Sequence, residues 1–85
     1  MIVTWDDAKR LANLDKHGMD FADLDVDFFL SSLVVPVRRR RFKAIGPLRR
    51  HGMIVVIFAP LGAEAVSAIS MRPASGRERS LFDDR

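Results

Sequence analysis

Eighty-five residues give room for one domain with a thin core, residues 1–85, and nearly half of them are apolar, which excludes a disordered chain. There is no cysteine, so disulfides, thiolate metal sites and thiol nucleophiles are excluded. The net charge of +3 hides a split: residues 1–37 carry three cations against seven aspartates, and residues 38–85 carry eleven cations against four acids.

Arginine outnumbers lysine eleven to three. Guanidinium binds phosphate and carboxylate through two parallel hydrogen bonds, so the bias suits a nucleic acid or an acidic protein partner. A genome that encodes arginine freely gives the same composition. Apolar runs are short, and no basic segment leads into an apolar one at the start. Neither a membrane span nor a signal peptide is therefore expected, and a cytoplasmic location is.

Ile2-Val3-Thr4-Trp5 reads as a first short strand. Asp6 or Asp7 then caps a helix with an apolar stripe of Ala8, Leu11, Ala12 and Leu14 and a polar side of Lys9, Asn13 and Lys16. The helix stops at His17-Gly18, where glycine accepts positive φ and cations suit the orphan carbonyls. Asp20 caps a second helix with Asp23 at its third position. Phe21, Leu24 and Phe28 form its buried line, Val26 and Phe29 a second one, and Asp20, Asp23 and Asp27 a solvated strip with no metal spacing.

At Leu33 the period changes. Leu33–Val37 is a strand that Pro36 places at an edge. Arg38–Arg41 follow, and only two of these four can share one face of an alternating strand. The segment from Phe42 to Gly46 alternates, Arg49–Gly52 is a polar turn, and Met53–Ala59 is apolar on both faces and hence central. Glu64–Met71 is the next strand. Ser75 and Glu78 open a final two-turn helix as a capping box, with Leu81 and Phe82 as its apolar anchors. The expected fold is α+β, in the order β-α-α-β-β-β-β-α. Two N-terminal helices pack on a small antiparallel sheet, followed by a short C-terminal helix.

No glycine-rich phosphate loop, nucleophile elbow or metal spacing of histidines is present. A set of cations and one well-placed histidine remain. They suit a reaction that needs no cofactor, cleavage of RNA by its own 2′-hydroxyl. That reaction requires a base, an acid and cations for the charge on phosphorus. His17 can fill either proton role, since imidazole titrates near neutrality. Each residue also has a plainer role. His17 can bond the last carbonyls of its helix, Arg38–Arg41 can be a charged edge that blocks aggregation, and Arg72 can pair with Glu78 or an aspartate of the second helix. Arg77 and Arg79 can solvate the final helix, and Trp5 belongs in the core.

The chain resembles the BrnT family of type II toxin–antitoxin toxins. The resemblance lies in Trp5-Asp6, Lys9, Asn13, Lys16-His17-Gly18 and Phe21, then in Arg41-Phe42 and Ile45-Gly46, and finally in Ile69-Ser70-Met71-Arg72-Pro73-Ala74 with Glu78-Arg79. It implies a small α+β ribonuclease, similar in fold to RelE-type toxins and independent of metal. It implies further a ribbon-helix-helix antitoxin as partner, with operon DNA contacted only through that antitoxin. His17, Arg41 and Arg72 match polar motif positions of the family and are the expected catalytic residues. Lys16, one or two of Arg38, Arg39 and Arg40, and Arg77 are the expected nucleic-acid contacts. The chain departs from the family pattern at Arg40, where an acid is usual, at Ser67, where an arginine is usual, and at Phe82, where an aromatic hydroxyl is usual. The rival expectation is a weakly active or inactive member retained as a binding and co-repressor module. A third is nucleic-acid binding without cleavage, marked by steep salt dependence.

Overall fold

A computed structural model describes residues 1–85. The chain runs β1 (Ile2–Trp5), α1 (Asp7–His17), a 3-10 turn (Phe21–Asp23), α2 (Val26–Ser31), β2 (Leu33–Arg38), β3 (Arg41–Leu48), β4 (Gly52–Leu61), β5 (Ala65–Pro73) and α3 (Gly76–Asp83). The α+β class and the element order are those expected from the sequence.

The five strands form one sheet in the order β1-β5-β4-β3-β2. β2 to β5 are an antiparallel meander, as short connections require. The first strand corrects the expectation of a wholly antiparallel sheet. β1 lies parallel to β5, with Ile2 opposite Ala65 and Trp5 opposite Ala68. It takes the edge remote from β2, because α1 and α2 carry the chain across the sheet before β2 begins.

One sheet face and the helices enclose the main core of Met19, Phe21, Leu24, Phe28, Phe29, Ala44, Leu48, Ile54, Val56, Phe58, Val66, Ala68 and Met71. Each large side chain fully buried there stabilises the fold by roughly 1.5–3 kcal/mol. Ile54, Val55 and Val56 are all shielded from solvent, so β4 is central and buried on both faces. On the opposite face Ile45 and Val55 are also buried, and α3 packs against β3 there. The rest of that face, with Thr4, Ile57, Ser67 and Ser70, stays half-exposed.

The second helix expected from Asp20 onward is two pieces. Asp20 accepts from the Ala22 N–H and Asp25 accepts from the Phe28 N–H, so two caps five residues apart start two separate turns. Leu24 between them is extended. Asp23 does not reach back as a capping partner; its carboxylate lies 3.4 Å from His51 Nε2.

The orientation of α1 is a second correction. Leu11, on its expected apolar stripe, is 64% exposed, and the one buried residue of the helix is Asn13. α3 also turns differently. Its capping box forms as expected, but Glu78 is the buried anchor, with Phe82 half-buried and Leu81 exposed.

Arg38 pairs with Arg41 across a two-residue hairpin turn. The residues between them, Arg39 and Arg40, have φ of 45° and 63°. Two positive values are what a primed hairpin turn demands, and asparagine and glycine usually supply them. A side chain such as arginine in that conformation costs roughly 1–2 kcal/mol.

Candidate active site

α1 continues beyond the end of β1 along the edge of β5 that β1 leaves open. Backbone groups on such an edge need polar partners. Asn13 supplies them: the Met71 N–H donates to its Oδ1 at 2.9 Å, and its Nδ2 donates to the Met19 carbonyl at 3.1 Å. This is why the helix turns a polar residue inward and leaves Leu11 outside. Asn13→Ala leaves two buried backbone groups unpaired. It is expected to cost about 2 kcal/mol, read as a lower midpoint in urea unfolding.

Above that bridge lies an open groove lined by Lys9, Ala12, Asn13, Lys16, His17, Ile69 and Ser70. His17 sits in the last turn of α1, and Gly18 (φ 67°) closes the helix by donating its N–H to the Leu14 carbonyl. The backbone therefore caps itself, and the imidazole is not needed for that task. His17 is half-buried, and Lys16 beside it is exposed.

A second cluster stands where β5 meets α3. Arg72 donates through Nη1 to Glu78 Oε1 at 2.7 Å and through Nη2 to Oε2 at 2.9 Å. Lys43 Nζ donates to Oε2 at 2.9 Å, and the Ser75 N–H donates to Oε1. The Arg72 guanidinium holds the Glu78 carboxyl well below the usual carboxylate range, against the opposing effect of burial. The same hydrogen bond raises Arg72. A guanidinium has five N–H groups. Arg72 spends two on Glu78 and a third on the Pro73 carbonyl, so Nε–H and one Nη2 hydrogen remain.

Arg41 stands apart from both clusters. It is exposed and lines a cleft with Arg38 and Arg39 at the hairpin tip. Three arginines thus converge, where strand alternation alone would allow two, because Arg39 lies in the turn rather than in a strand. Arg40 is exposed at the same turn, and Arg77 is exposed in the first turn of α3.

The three expected catalytic residues therefore do not share one pocket. The sheet face that carries α3 connects their locations. Lys43 pairs across to Ile57 and Ile57 to Ser70, so Lys43 and Ser70 share that face. Ser70 lines the His17 groove, and Arg72 is two residues further along β5, about 6.6 Å at strand rise. Arg41 is the same step from Lys43 along β3.

Lys43 and Ser70 share this face although neither is an expected site residue. Both were accessible by alternation, one with Arg41 and the other with Arg72. The other histidine, His51, ties the β3–β4 turn to Asp23 and lies away from the groove. Arg10 pairs with Asp20 at 2.7 Å, and that hydrogen bond lowers the Asp20 carboxyl to about 2. No group of three His, Cys, Asp or Glu side chains is gathered as metal ligands would be. No helix is long and apolar enough to cross a membrane.

Residues 5–78 match the family model of the ribonuclease toxin, BrnT, of type II toxin–antitoxin systems. Among solved structures, the chain is similar to the 1.1 Å crystal structure of the Brucella abortus ribonuclease toxin BrnT, with 52% sequence identity and a TM-score of 0.83. That match covers 88% of this chain and 97% of the Brucella chain. Comparison with curated protein sequences gives no match.

Proposed function

The chain belongs to the BrnT family of ribonuclease toxins of type II toxin–antitoxin systems, and from that premise we propose a metal-independent cleavage of RNA across the α3-bearing face of the sheet. The observation that carries the proposal is the His17–Lys16–Ser70 groove, which runs into the strand face that holds Arg72.

In the proposed reaction a base removes the proton of a 2′-hydroxyl, and that oxygen attacks the adjacent phosphorus. The bond to the 5′-oxygen breaks, and an acid returns a proton to the leaving oxygen. His17 serves as one of these two proton carriers. Arg72 offers its two remaining N–H groups to the scissile phosphate while Glu78 keeps the guanidinium in place. Arg41 holds the same strand from β3, and Lys16 lies beside the histidine as a backbone contact. Single-stranded RNA suits this open face, because its bases and backbone are accessible. The cognate partner is an antitoxin of the ribbon-helix-helix class, and DNA is reached only through it.

The test uses a short RNA and the same RNA with one 2′-deoxy residue at the cut site. Cleavage of the first in the presence of a chelator, with a 2′,3′-cyclic phosphate product and no cut in the second, is the expected result. Cleavage of both, or dependence on added magnesium, would sink the mechanism.

One feature favours a second reading, of an inactive member kept for antitoxin binding. No tyrosine occurs in the chain, and Phe82 packs under the Arg85 guanidinium at 3.7 Å. The discriminating result is growth: wild type expressed alone arrests cells on the first reading and leaves them growing on the second.

A further inference from the structure

We infer that the Arg38–Arg41 hairpin tip is a second anion site, built to grip backbone phosphates of the RNA strand away from the phosphate that is cut. The inference rests on the ribonuclease reading and extends it to the substrate's length. Three observations carry it.

The first is convergence. Arg38, Arg39 and Arg41 line one cleft that has no hydrophobic residue. The second is availability. None of the four tip arginines pairs with a carboxylate; Arg50, Arg77, Arg79 and Arg85 share that freedom, but at the tip three unpaired arginines line one cleft. The tip is bare cationic surface, whereas Arg72 and Lys43 are already partly neutralised by Glu78. The third is backbone conformation. Arg39 and Arg40 hold positive φ at both central turn positions. Asn-Gly would take that shape without strain and would leave Arg38 and Arg41 to keep the edge soluble. Folding does not call for two further arginines there, because they strain the turn. An anion bound across the tip does, because guanidinium forks can clasp successive phosphates. Arg41 shares its sheet face with Lys43, so a strand leaving the proposed scissile site meets the tip next.

The test separates binding from cleavage. The probes are 2′-O-methyl oligoribonucleotides of about 4 and about 12 nucleotides, which cannot attack their own phosphates. The protein is wild type or the double variant Arg39→Asn/Arg40→Gly, which keeps the turn and removes two charges. Each neutralised phosphate contributes a salt slope of about 0.7 on a single strand. The variant should therefore lose about 1.4 from the slope for the long probe and bind it roughly 25-fold more weakly at about 0.1 M salt. It should also melt several degrees higher, which excludes misfolding as the cause. The affinity gained between the short and the long probe should shrink. An unchanged slope and affinity for the long probe would overturn the inference. So would loss of binding to a polyglutamate peptide with RNA affinity intact, since that outcome reassigns the tip to an acidic protein. If wild type fails to cleave ordinary RNA, the ribonuclease reading falls, while the salt slope still reports on the tip.

Discussion

Glu78→Ala is expected to lower stability by about 3 kcal/mol, the largest loss from any single polar side chain in this fold. The Glu78 side chain is only 6% exposed and accepts from Arg72, Lys43 and the Ser75 N–H. Its removal strands two cations and opens the capping box that starts α3. Breaking a fully buried pair costs about 3–5 kcal/mol. The Arg72 and Lys43 side chains are 35% and 25% exposed, so water recovers part of that loss. The missing cap adds about 1 kcal/mol. For a domain of 85 residues the melting point should fall by roughly 12–24 °C, at about 4–8 °C per kcal/mol. Glu78→Gln keeps the shape and loses the charge, and should fall between the two. The pH dependence has a definite sign. The folded carboxyl is depressed below its ordinary value of 4.5, so its contribution is complete above that pH and is lost as pH falls from there toward the folded value. The gap between wild type and Glu78→Ala should close on acidification below about pH 4.5. A gap of constant width would mean that packing rather than charge holds α3. Asp20 adds a loss of the same sign between its ordinary 3.8 and about 2.

His17→Ala should slow RNA cleavage by about 10²–10⁴-fold, the usual contribution of one positioned proton carrier. The loss should appear in kcat with KM nearly constant, because Lys16 and the arginines still hold the strand. Stability should change little. The Gly18 N–H closes the helix without the imidazole, and the Asn13 bridge, not His17, ties α1 to β5. Free imidazole should restore part of the rate, since the cavity left in an open groove admits it. His51→Ala is the control, because that ring faces Asp23 on the far side of the β3–β4 turn. Wild-type cleavage by His17→Ala would move the proton carrier elsewhere and leave the groove a structural seam.

Local signals in the sequence were reliable where a single residue dictates its own conformation. Gly18 ends α1, Pro36 marks the edge strand, Ser75 and Glu78 form the capping box, and Ile54–Val56 are central. Errors arose where the deciding partner lies far along the chain. The apolar stripe of α1 argued for burying Leu11, but the open edge of β5, reached 58 residues beyond Asn13, requires a hydrogen-bonding side chain more than an apolar one. The parallel placement of β1 has the same origin, since nothing in Ile2–Trp5 names Ala65–Ala68 as its neighbours. Of the site, the family motif singles out His17, Arg41 and Arg72 as candidates, but it could not show that Glu78 clamps Arg72 or that Arg41 belongs to the hairpin tip.

The packing of α1 against the far end of β5 also sets when the groove can exist. One wall of the proposed catalytic groove is made by residue 17 and the other by residues 69 and 70. A nascent chain whose last strand is still inside the ribosome tunnel has no groove, however completely its first half has been synthesised. The groove therefore closes late, once β5, the last strand of the sheet, has been made.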